Sequence, residues 1–363
     1  MSDRRHQALA VLLALLVSAC AVQGPFGDKA GGVPGGKVVL ALADVSSGLQ
    51  ERPPVAYFIR RVKALSGGNI SIHVDYNWKS PDPNAEQQVV RATAAGTTID
   101  LGIVGSRVFD TMGVTSLQAL SAPMLIDSYS LEHSVLRSDM AKQMLAGVRR
   151  LNVAPLALIA NGLRKPVAVA RPLLGRREWR GINFGTYLSN VQEASIRALG
   201  AMPLVAFSSL RVHFLQTGQL KGFEFNLLNY YANSYWSVAR FITANVNLWP
   251  QVDVLIANPG SLAQLTSQQT GWLEEAAREA AARSVGMMVA ADNAVLPTIC
   301  KKGTRFADAS RSELASVRHA FAPVYSYLEE NRQTRSFISR IEGLKRSTPA
   351  GAALAIPKGC LVR

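Results

Sequence analysis

The sequence predicts an α/β fold made of two lobes. Strand-like and helix-like segments alternate from residue 37 to residue 106, a pattern typical of a mainly parallel sheet with helices on both faces. A second group of strand-like segments begins at residue 154 and indicates a second lobe. Two long helical patterns, rich in Ala, Glu, Arg and Leu, occupy residues 267–285 and 311–341.

The first group has the order β-α-β-α-β. Residues 37–44 (KVVLALAD) are almost continuously apolar, as in a strand that is buried on both faces. Residues 53–68 place apolar side chains at helical spacing between two prolines and two glycines. Residues 69–76 alternate like a strand, and residues 84–96 and 98–106 predict a second helix and a third strand.

Ligands of such sheets bind beyond the carboxyl ends of the strands. The loops that follow Asp44, Asn77 and Val104 are therefore candidate binding loops. The second group predicts three further strands, a helix and a fourth strand, in the order APLALIA (154–160), PVAVARPL (166–173), GINFGTY (181–187), NVQEASIRALG (190–200) and PLVAF (203–207).

The first twenty residues have the anatomy of a secretory signal. A basic start precedes a ten-residue apolar run at residues 8–17, and small residues precede Cys20. A membrane-spanning helix needs about 20 apolar residues, so we expect residues 1–19 to be a signal peptide that is removed.

Residues 17–20 (VSAC) resemble the lipobox of bacterial lipoproteins, in which the cysteine receives a lipid. Cys20 would then hold the protein at a membrane surface without spanning the membrane. The alternative is an ordinary secretory signal with an incidental cysteine. Residues 20–36 are rich in glycine and predict a flexible tether.

Cys300 and Cys360 are the remaining cysteines, and an exported chain meets an oxidising compartment. An even pair of cysteines there favours a disulfide that ties the C-terminal tail to the body. The alternative is two buried free thiols, since sequence does not show whether the two Cα atoms lie close enough. Titration of free thiols in the denatured protein distinguishes the two.

The chain is strongly basic, with a formal net charge of +14 at pH 7. Such a charge suits nucleic acid, anionic lipid or an anionic ligand. The basic residues are scattered and do not form the aromatic-basic clusters of single-strand binders, so we predict no nucleic-acid partner. A solvated basic surface is the simplest interpretation of most of this charge.

The sequence contains no phosphate-binding loop, GxSxG elbow, HExxH or CxxC motif. Its five histidines are scattered, and no pair of carboxylates stands in a catalytic pattern. We therefore predict no catalytic residues, no metal site and no cofactor.

Three segments resemble the solute-binding proteins of tripartite ATP-independent periplasmic (TRAP) transporters. They are FIRRVKALSGGNISIHV (58–74), AEQQVVRATAAGTTIDLGIVGSRVF (85–109) and IRALGAMPLVAFSSLRVHFLQTGQLKGFE (196–224), and they occur in the order found in that family. The resemblance extends over about residues 37–290.

This resemblance implies a two-lobed fold of the periplasmic-binding-protein type II kind, with a cleft between the lobes and a long connecting helix. The lobes would close on a small solute by a hinge movement. The expected boundaries are 37–160 with a return segment at about 250–285 for lobe 1, 161–249 for lobe 2, and 286–363 for C-terminal helices packed on the lobes. The resemblance also implies the membrane subunits of the transporter as partners.

Most members of that family hold organic acids through an arginine on a strand of the second lobe, in a motif resembling G-x-K-x-R. A guanidinium makes two parallel hydrogen bonds to a carboxylate, which explains the choice of residue. Residues 181–185 match the motif, and Gly185 stands in the arginine position. The resemblance therefore implies extra room in the cleft at Gly185.

A second departure lies at residues 221–225 (KGFEF), where the family pattern resembles D-G-x-E-N and Asn226 follows one place late. Arg164 and Arg180 are candidate substitutes for the missing arginine, although Arg180 has a simple alternative as surface charge. The aromatic run at residues 223–236 indicates either a wall for a larger solute or core. The predicted ligand-binding residues are Arg164, Glu86, Gly185, Tyr187, Glu224, Phe225, Asn226 and Ser106.

The leading hypothesis is a lipid-anchored, extracytoplasmic protein that captures a small solute, an organic acid or a related polar or aromatic molecule, for a TRAP-type transporter. A ligand-sensing lipoprotein that signals to a membrane receptor shares every one of these sequence features. Neighbouring genes for permease subunits would favour transport. A secreted enzyme on the same scaffold rests on fold analogy alone.

Overall fold

The computed structural model describes residues 36–48, 51–349, 351 and 354–362. The predicted signal peptide, Cys20 and all of the predicted tether except Gly36 lie outside these residues. Within the described residues, no helix is both long enough and apolar enough to cross a membrane.

The described part of the chain contains one curled sheet. Along its main path the strand order is β2-β1-β3-β9-β4-β7-β5-β6, and β8 pairs with β4 and β10. The strands are β1 (Val38–Asp44), β2 (Ile70–Asp75), β3 (Leu101–Gly105), β4 (Ala154–Ala168), β5 (Asn183–Thr186), β6 (Met202–Val205), β7 (Gly222–Phe225), β8 (Phe241–Thr243), β9 (Trp249–Ala257) and β10 (Arg305–Ala307).

The two flanks of the sheet are parallel and its centre is antiparallel. β1 runs parallel to β2 and β3, and β5 runs parallel to β6 and β7. β9 is antiparallel to β3 and β4, and β4 is antiparallel to β7. The expectation of a mainly parallel sheet is therefore correct for the flanks and wrong for the centre, because β4 and β9 pass between the two halves.

The strand β4 joins the two halves. Its first part pairs with β9, as at Leu158 opposite Val254, and its last part pairs with β7, as at Val167 opposite Phe223. The sequence predicts two strands here, at residues 154–160 and 166–173. Gly162 has φ +89° and lies at a register shift, so it bends a continuous strand. We call the half around β1–β3 the first lobe and the half around β5–β7 the second lobe.

Helices cover both faces of the sheet. They are α1 (Pro53–Leu65), α2 (Ala85–Ala95), α3 (Tyr129–Arg137), α4 (Asp139–Ala146), α5 (Arg176–Trp179), α6 (Asn190–Ala198), α7 (Ser208–Gln216), α8 (Leu227–Ala232), α9 (Pro259–Ala263), α10 (Ser267–Lys301), α11 (Arg311–Ala320), α12 (Ala322–Glu330) and α13 (Arg332–Ser347).

The long helix α10 contacts both lobes. It begins at a capping box in which Thr266 and Gln269 satisfy each other's backbone N–H groups, and it continues for 35 residues. It packs against α1 in the first lobe, against the joining strand β4, and against α8 in the second lobe. The helix thus extends well past residue 285, where the sequence pattern ends.

The long pattern at residues 311–341 forms three helices, α11, α12 and α13. Pro323 occupies the first turn of α12, a position that suits proline and does not suit a helix interior. Asn331 then caps α13 through its side-chain oxygen, which accepts from the backbone N–H of Thr334. These two local signals divide the segment.

Cys300 and Cys360 form a disulfide, with their Cα atoms 5.7 Å apart. The bond ties the last turn of α10 to the C-terminal tail, and Leu361 forms an isolated parallel bridge with Phe306 of β10. The tail is therefore held against the body of the protein.

Candidate ligand-binding site

A cavity of about 90 Å³ lies between the two lobes, at the carboxyl ends of β1, β3 and β7. The loops after Asp44 and Val104 contribute to its wall, as expected, whereas no described residue of the loop after Asn77 does. Four arginines line it: Arg52, Arg107, Arg164 and Arg211. They differ in what neutralises them.

Arg52 precedes α1 and has two carboxylate partners. Its guanidinium contacts the carboxylate of Asp44, at the end of β1, and donates to Asp253 of β9 at 2.5 Å. Asp253 also accepts from the side chains of Asn161 and Gln251. The charge of Arg52 is therefore compensated within the protein.

Arg107 has one carboxylate partner. It donates to Glu86 of α2 at 2.6 Å, and the other oxygen of Glu86 accepts from the backbone N–H of Gly105 at 2.8 Å. A β-carbon at residue 105 would overlap the Arg107 guanidinium, so this arrangement requires glycine. Arg107 also donates to Gln251 at 2.7 Å.

Arg164 of β4 is less well compensated. It donates to the same Gln251 oxygen at 2.9 Å, and its Nε lies 3.4 Å from Glu224 without forming a hydrogen bond. Among the described residues, its Nη1 is also a buried nitrogen without a hydrogen-bond partner. Arg164 thus retains donor capacity in the cavity.

Arg211 of α7 has no carboxylate within ion-pair distance among the described residues, and it is 1% exposed. Its Nη2 donates to the carbonyl of Ala206 at 2.7 Å, and its Nη1 lies 3.4 Å from the Tyr187 hydroxyl. Burial opposes the charge, but Tyr187, Tyr235 and Glu224 together raise the pKa of Arg211 above its ordinary value. The guanidinium remains charged.

The ring of Tyr187, which directly follows β5, lies among three guanidinium groups. Its centre is 4.1 Å from the Arg107 carbon, 4.8 Å from that of Arg211 and 5.3 Å from that of Arg164. The faces of an aromatic ring attract cations, which partly offsets their mutual repulsion. Three guanidinium groups, from both sides of the cavity, therefore converge on one aromatic ring.

Glu224 is buried behind Arg164, and neither of its carboxylate oxygens has a hydrogen-bond partner among the described residues. Burial raises the pKa of Glu224, although Arg164, Arg107 and Arg211 act to lower it. This carboxylate is therefore a poor counter-ion for the arginines around it.

Four of the eight predicted ligand-binding residues line the cavity: Glu86, Arg164, Tyr187 and Phe225. Glu224 stands behind Arg164, and Ser106 is buried at the start of a short 3₁₀ helix away from the cavity wall. Asn226 is fully buried, caps α8 and donates to the carbonyl of Asn161. Its place in the packing explains its conformation without a ligand.

Gly185 does not line the cavity, and the extra room expected there is absent. A β-carbon on Gly185 would lie 3.0 Å from Cβ of Phe223, its neighbour across the strand pair, and 3.2 Å from Leu220. The space is filled by Phe223. Arg180, the other candidate substitute, is exposed.

Sequence reasoning missed Arg52, Arg107, Arg211, Gln251 and Asp253. Arg107 lies two residues beyond the carboxyl end of β3, within a loop that the sequence already marked, so its position was available as a signal. Arg211 offered none, because its partner Tyr187 is 24 residues away and their contact depends on tertiary structure. No group of histidines, cysteines and carboxylates in the described residues is arranged to hold a metal ion.

A family model, curated relatives and solved structures all indicate the same protein family. Residues 50–331 match the family model described as bacterial extracellular solute-binding protein, family 7 (DctP). A C4-dicarboxylate-binding periplasmic protein DctP from Rhodobacter capsulatus is 24% identical over 223 residues, 61% of this chain and 66% of the relative. One from Shewanella loihica is 28% identical over 127 residues, 35% of this chain and 38% of the relative. The matched segments thus span less than two thirds of either curated relative.

Solved structures share the fold. A TRAP periplasmic solute-binding protein from Bradyrhizobium sp. in complex with galacturonate has a TM-score of 0.74 at 19% identity, covering 84% of this chain and 100% of that one. One from Shewanella oneidensis with bound succinate has a TM-score of 0.74 at 20% identity, covering 85% and 99%. The fold is thus the two-lobed fold of periplasmic binding proteins, with its cleft and long helix. The chain belongs to family 7 of the bacterial extracellular solute-binding proteins, the DctP family of TRAP transporters.

Proposed function

We propose that this protein captures a small organic acid in the cleft, by closure of the lobes, and delivers it to the membrane subunits of a TRAP-type transporter. The observation that carries the proposal is the convergence of Arg107, Arg164 and Arg211 on the Tyr187 ring. A carboxylate in the cavity would relieve their repulsion.

Unused hydrogen-bond donors support the same ligand class. Buried donors without partners are costly, so native structures rarely keep them. Here Nε of Arg211 and Nη1 of Arg164 are both buried and unpartnered among the described residues. A carboxylate is an acceptor with several lone pairs and could satisfy both nitrogens.

The ligands of related proteins agree with this chemistry. The Bradyrhizobium structure holds galacturonate, the Shewanella oneidensis structure holds succinate, and the Rhodobacter relative is named for C4-dicarboxylates. Each of these molecules carries at least one carboxylate. We therefore place this chain among carboxylate binders, without choosing between sugar acids and dicarboxylates.

A thermal-shift panel tests the proposal. Succinate, D-galacturonate and D-glucuronate are compared with the neutral sugars D-galactose and D-glucose. A ligand present at a hundred times its Kd stabilises the folded state by about 2.7 kcal/mol, which a melting curve resolves. Stabilisation by an acid but not by its neutral counterpart supports the proposal, and no response to any acid contradicts it.

The variant Arg164→Ala refines that panel. If Arg164 holds the acid, its removal should weaken binding roughly tenfold to a hundredfold and reduce the shift accordingly, because a hydrogen bond to a charged group contributes about 1.5–3 kcal/mol. Arg180→Ala is the matched control, since Arg180 is exposed. Unchanged affinity in Arg164→Ala would make that arginine structural.

We also propose that residues 1–19 are a signal peptide and that Cys20 carries a lipid anchor facing the periplasm or cell exterior. The support is the order of residues 17–20 and the extracellular character of the family. Metabolic labelling with a fatty acid should mark the wild type and leave Cys20→Ser unlabelled. Equal labelling of the two would contradict the anchor.

The lobe boundaries, 37–160 with a return at about 250–285 and 161–249, remain part of this proposal, with residues 286–363 packed on the lobes. Their support is the passage of β4 and β9 between the halves of the sheet.

A further inference from the structure

We propose that Arg211 is the specificity-determining residue of the cleft, the cation that selects solutes bearing a carboxylate. The inference rests on the proposed function and names the residue on which the choice of ligand depends.

The charge of Arg211 is the first argument. Arg52 and Arg107 donate to carboxylates at 2.5 and 2.6 Å, and the Nε of Arg164 lies 3.4 Å from one. Arg211 contacts none within ion-pair distance among the described residues, although it is the most deeply buried of the four. Its Nε is buried and has no hydrogen-bond partner among the described residues, and native structures rarely keep such a donor, so this side chain is set to donate to an acceptor that arrives with the ligand.

The surroundings of Arg211 are the second argument. Its guanidinium carbon lies 4.8 Å from the ring centres of both Tyr187 and Phe225 and 5.6 Å from that of Phe223. The faces of aromatic rings favour a fixed orientation of a guanidinium plane, and the Tyr187 hydroxyl accepts from Nη1 over a long 3.4 Å contact. Nη2 donates to the carbonyl of Ala206, whereas Nε is oriented by the rings and has no hydrogen-bond partner among the described residues.

The packing of Phe223 against Gly185 also positions Arg211. Phe223 lies against β5 because residue 185 is glycine, where a β-carbon would be 3.0 Å from the Phe223 β-carbon. A side chain at residue 185 would displace Phe223, and the ring of Phe223 is one of those that contact the Arg211 guanidinium. The glycine thus helps to position an arginine that comes from a helix, α7, and not from the strand itself.

The test compares Arg211→Met and Arg211→Lys with the wild type, using D-galacturonate and succinate as probes in calorimetry and thermal shift. Arg211→Met should bind the acid that the wild type binds roughly tenfold to a hundredfold more weakly. Its ligand-free melting temperature should stay close to that of the wild type, because methionine fills much of the same space and leaves no buried Nε without a partner. Arg211→Lys keeps the charge without the planar fork and should lie between the two.

Arg180→Met, a loss of the same charge at an exposed position, should match the wild type. Acid affinity in Arg211→Met equal to that of the wild type would overturn the inference whatever its melting temperature. If that variant does not fold, wild-type affinity in Arg211→Lys would overturn it instead. If the wild type itself responds to no acid, the proposed function fails and takes the inference with it, whereas a responding wild type isolates Arg211.

Discussion

The two walls of the cleft use the same residue type in opposite ways. On the first-lobe wall, Arg52 and Arg107 are matched by Asp44, Asp253 and Glu86, each through a direct contact. On the other wall, Arg211 has no such match among the described residues, and Arg164 has only a distant and poorly bonded one.

This difference indicates that the paired arginines stabilise the fold and that the other two bind the ligand. A paired arginine fixes the loops at the ends of β1 and β3, and its carboxylate partner offsets part of its charge. An unpaired arginine keeps its charge and its donors at a cost in stability, which a ligand can return. The first-lobe wall is therefore expected to determine folding, and the second wall to determine what binds.

The largest effect is expected from Glu86→Gln on the paired wall. The substitution keeps the shape of the side chain but leaves Arg107 as an uncompensated buried charge, so the free energy of unfolding should fall by about 3 kcal/mol. Urea unfolding measures this. The control is Glu51→Gln, which breaks the exposed pair with Arg60 and should change stability by less than about 0.5 kcal/mol. Equal stability of Glu86→Gln and the wild type would contradict the claim that the paired arginines of the first-lobe wall stabilise the fold.

A smaller effect, on binding, is expected from Tyr187→Leu on the unpaired wall. Its ring faces three guanidinium groups, and the loss of these cation–π contacts should weaken binding of the responding acid about tenfold. Tyr187→Phe is the matched variant, because it keeps the ring and loses only a long 3.4 Å contact from the hydroxyl. Calorimetry should show Tyr187→Phe close to wild type. Equal losses in both variants would assign the effect to the hydroxyl.

The smallest effect is expected from Glu224→Gln, which removes a carboxylate as Glu86→Gln does but from the other wall. Since neither Glu224 oxygen is hydrogen-bonded among the described residues, stability should not fall, and acid affinity should hold or rise slightly. A loss of stability comparable to that in Glu86→Gln would contradict the comparison.

The pH dependence of Glu224→Gln follows from the same burial. Burial raises the pKa of Glu224 in the folded state, so its contribution to stability is fully present below the ordinary pKa of glutamate and is lost as pH rises through the raised one. Melting temperatures measured as pH rises above the ordinary pKa of glutamate should therefore decline less in the variant than in the wild type. Identical slopes would mean that the carboxylate ionises as it does in the unfolded chain.

The fold was predictable where local pattern and tertiary structure agree. The strands and helices of the first lobe follow from their periodicity and from their glycine and proline ends. The continuity of β4 was not predicted, because the bend at Gly162 and the pairing with β9 that carries the strand past it depend on tertiary structure.

The site divides in the same way. Glu86, Arg164, Tyr187 and Phe225 stand at the cavity and were all named from the sequence. Arg211 was not, because α7 brings it to the rings of Tyr187 and Phe225 from a distant point in the chain. The resemblance directed attention to Gly185 as a gap, whereas the structure shows a close contact with Phe223.

The side-chain amide of Gln251 bears on the rate at which a solute associates with the protein. The side-chain oxygen of Gln251 accepts from Arg107 and Arg164 together, so two cations are held side by side by a neutral group. A glutamate would hold them equally well but would cancel one charge. With glutamine both charges remain, and we expect the added positive charge to accelerate the encounter with dilute anions in a manner that salt suppresses.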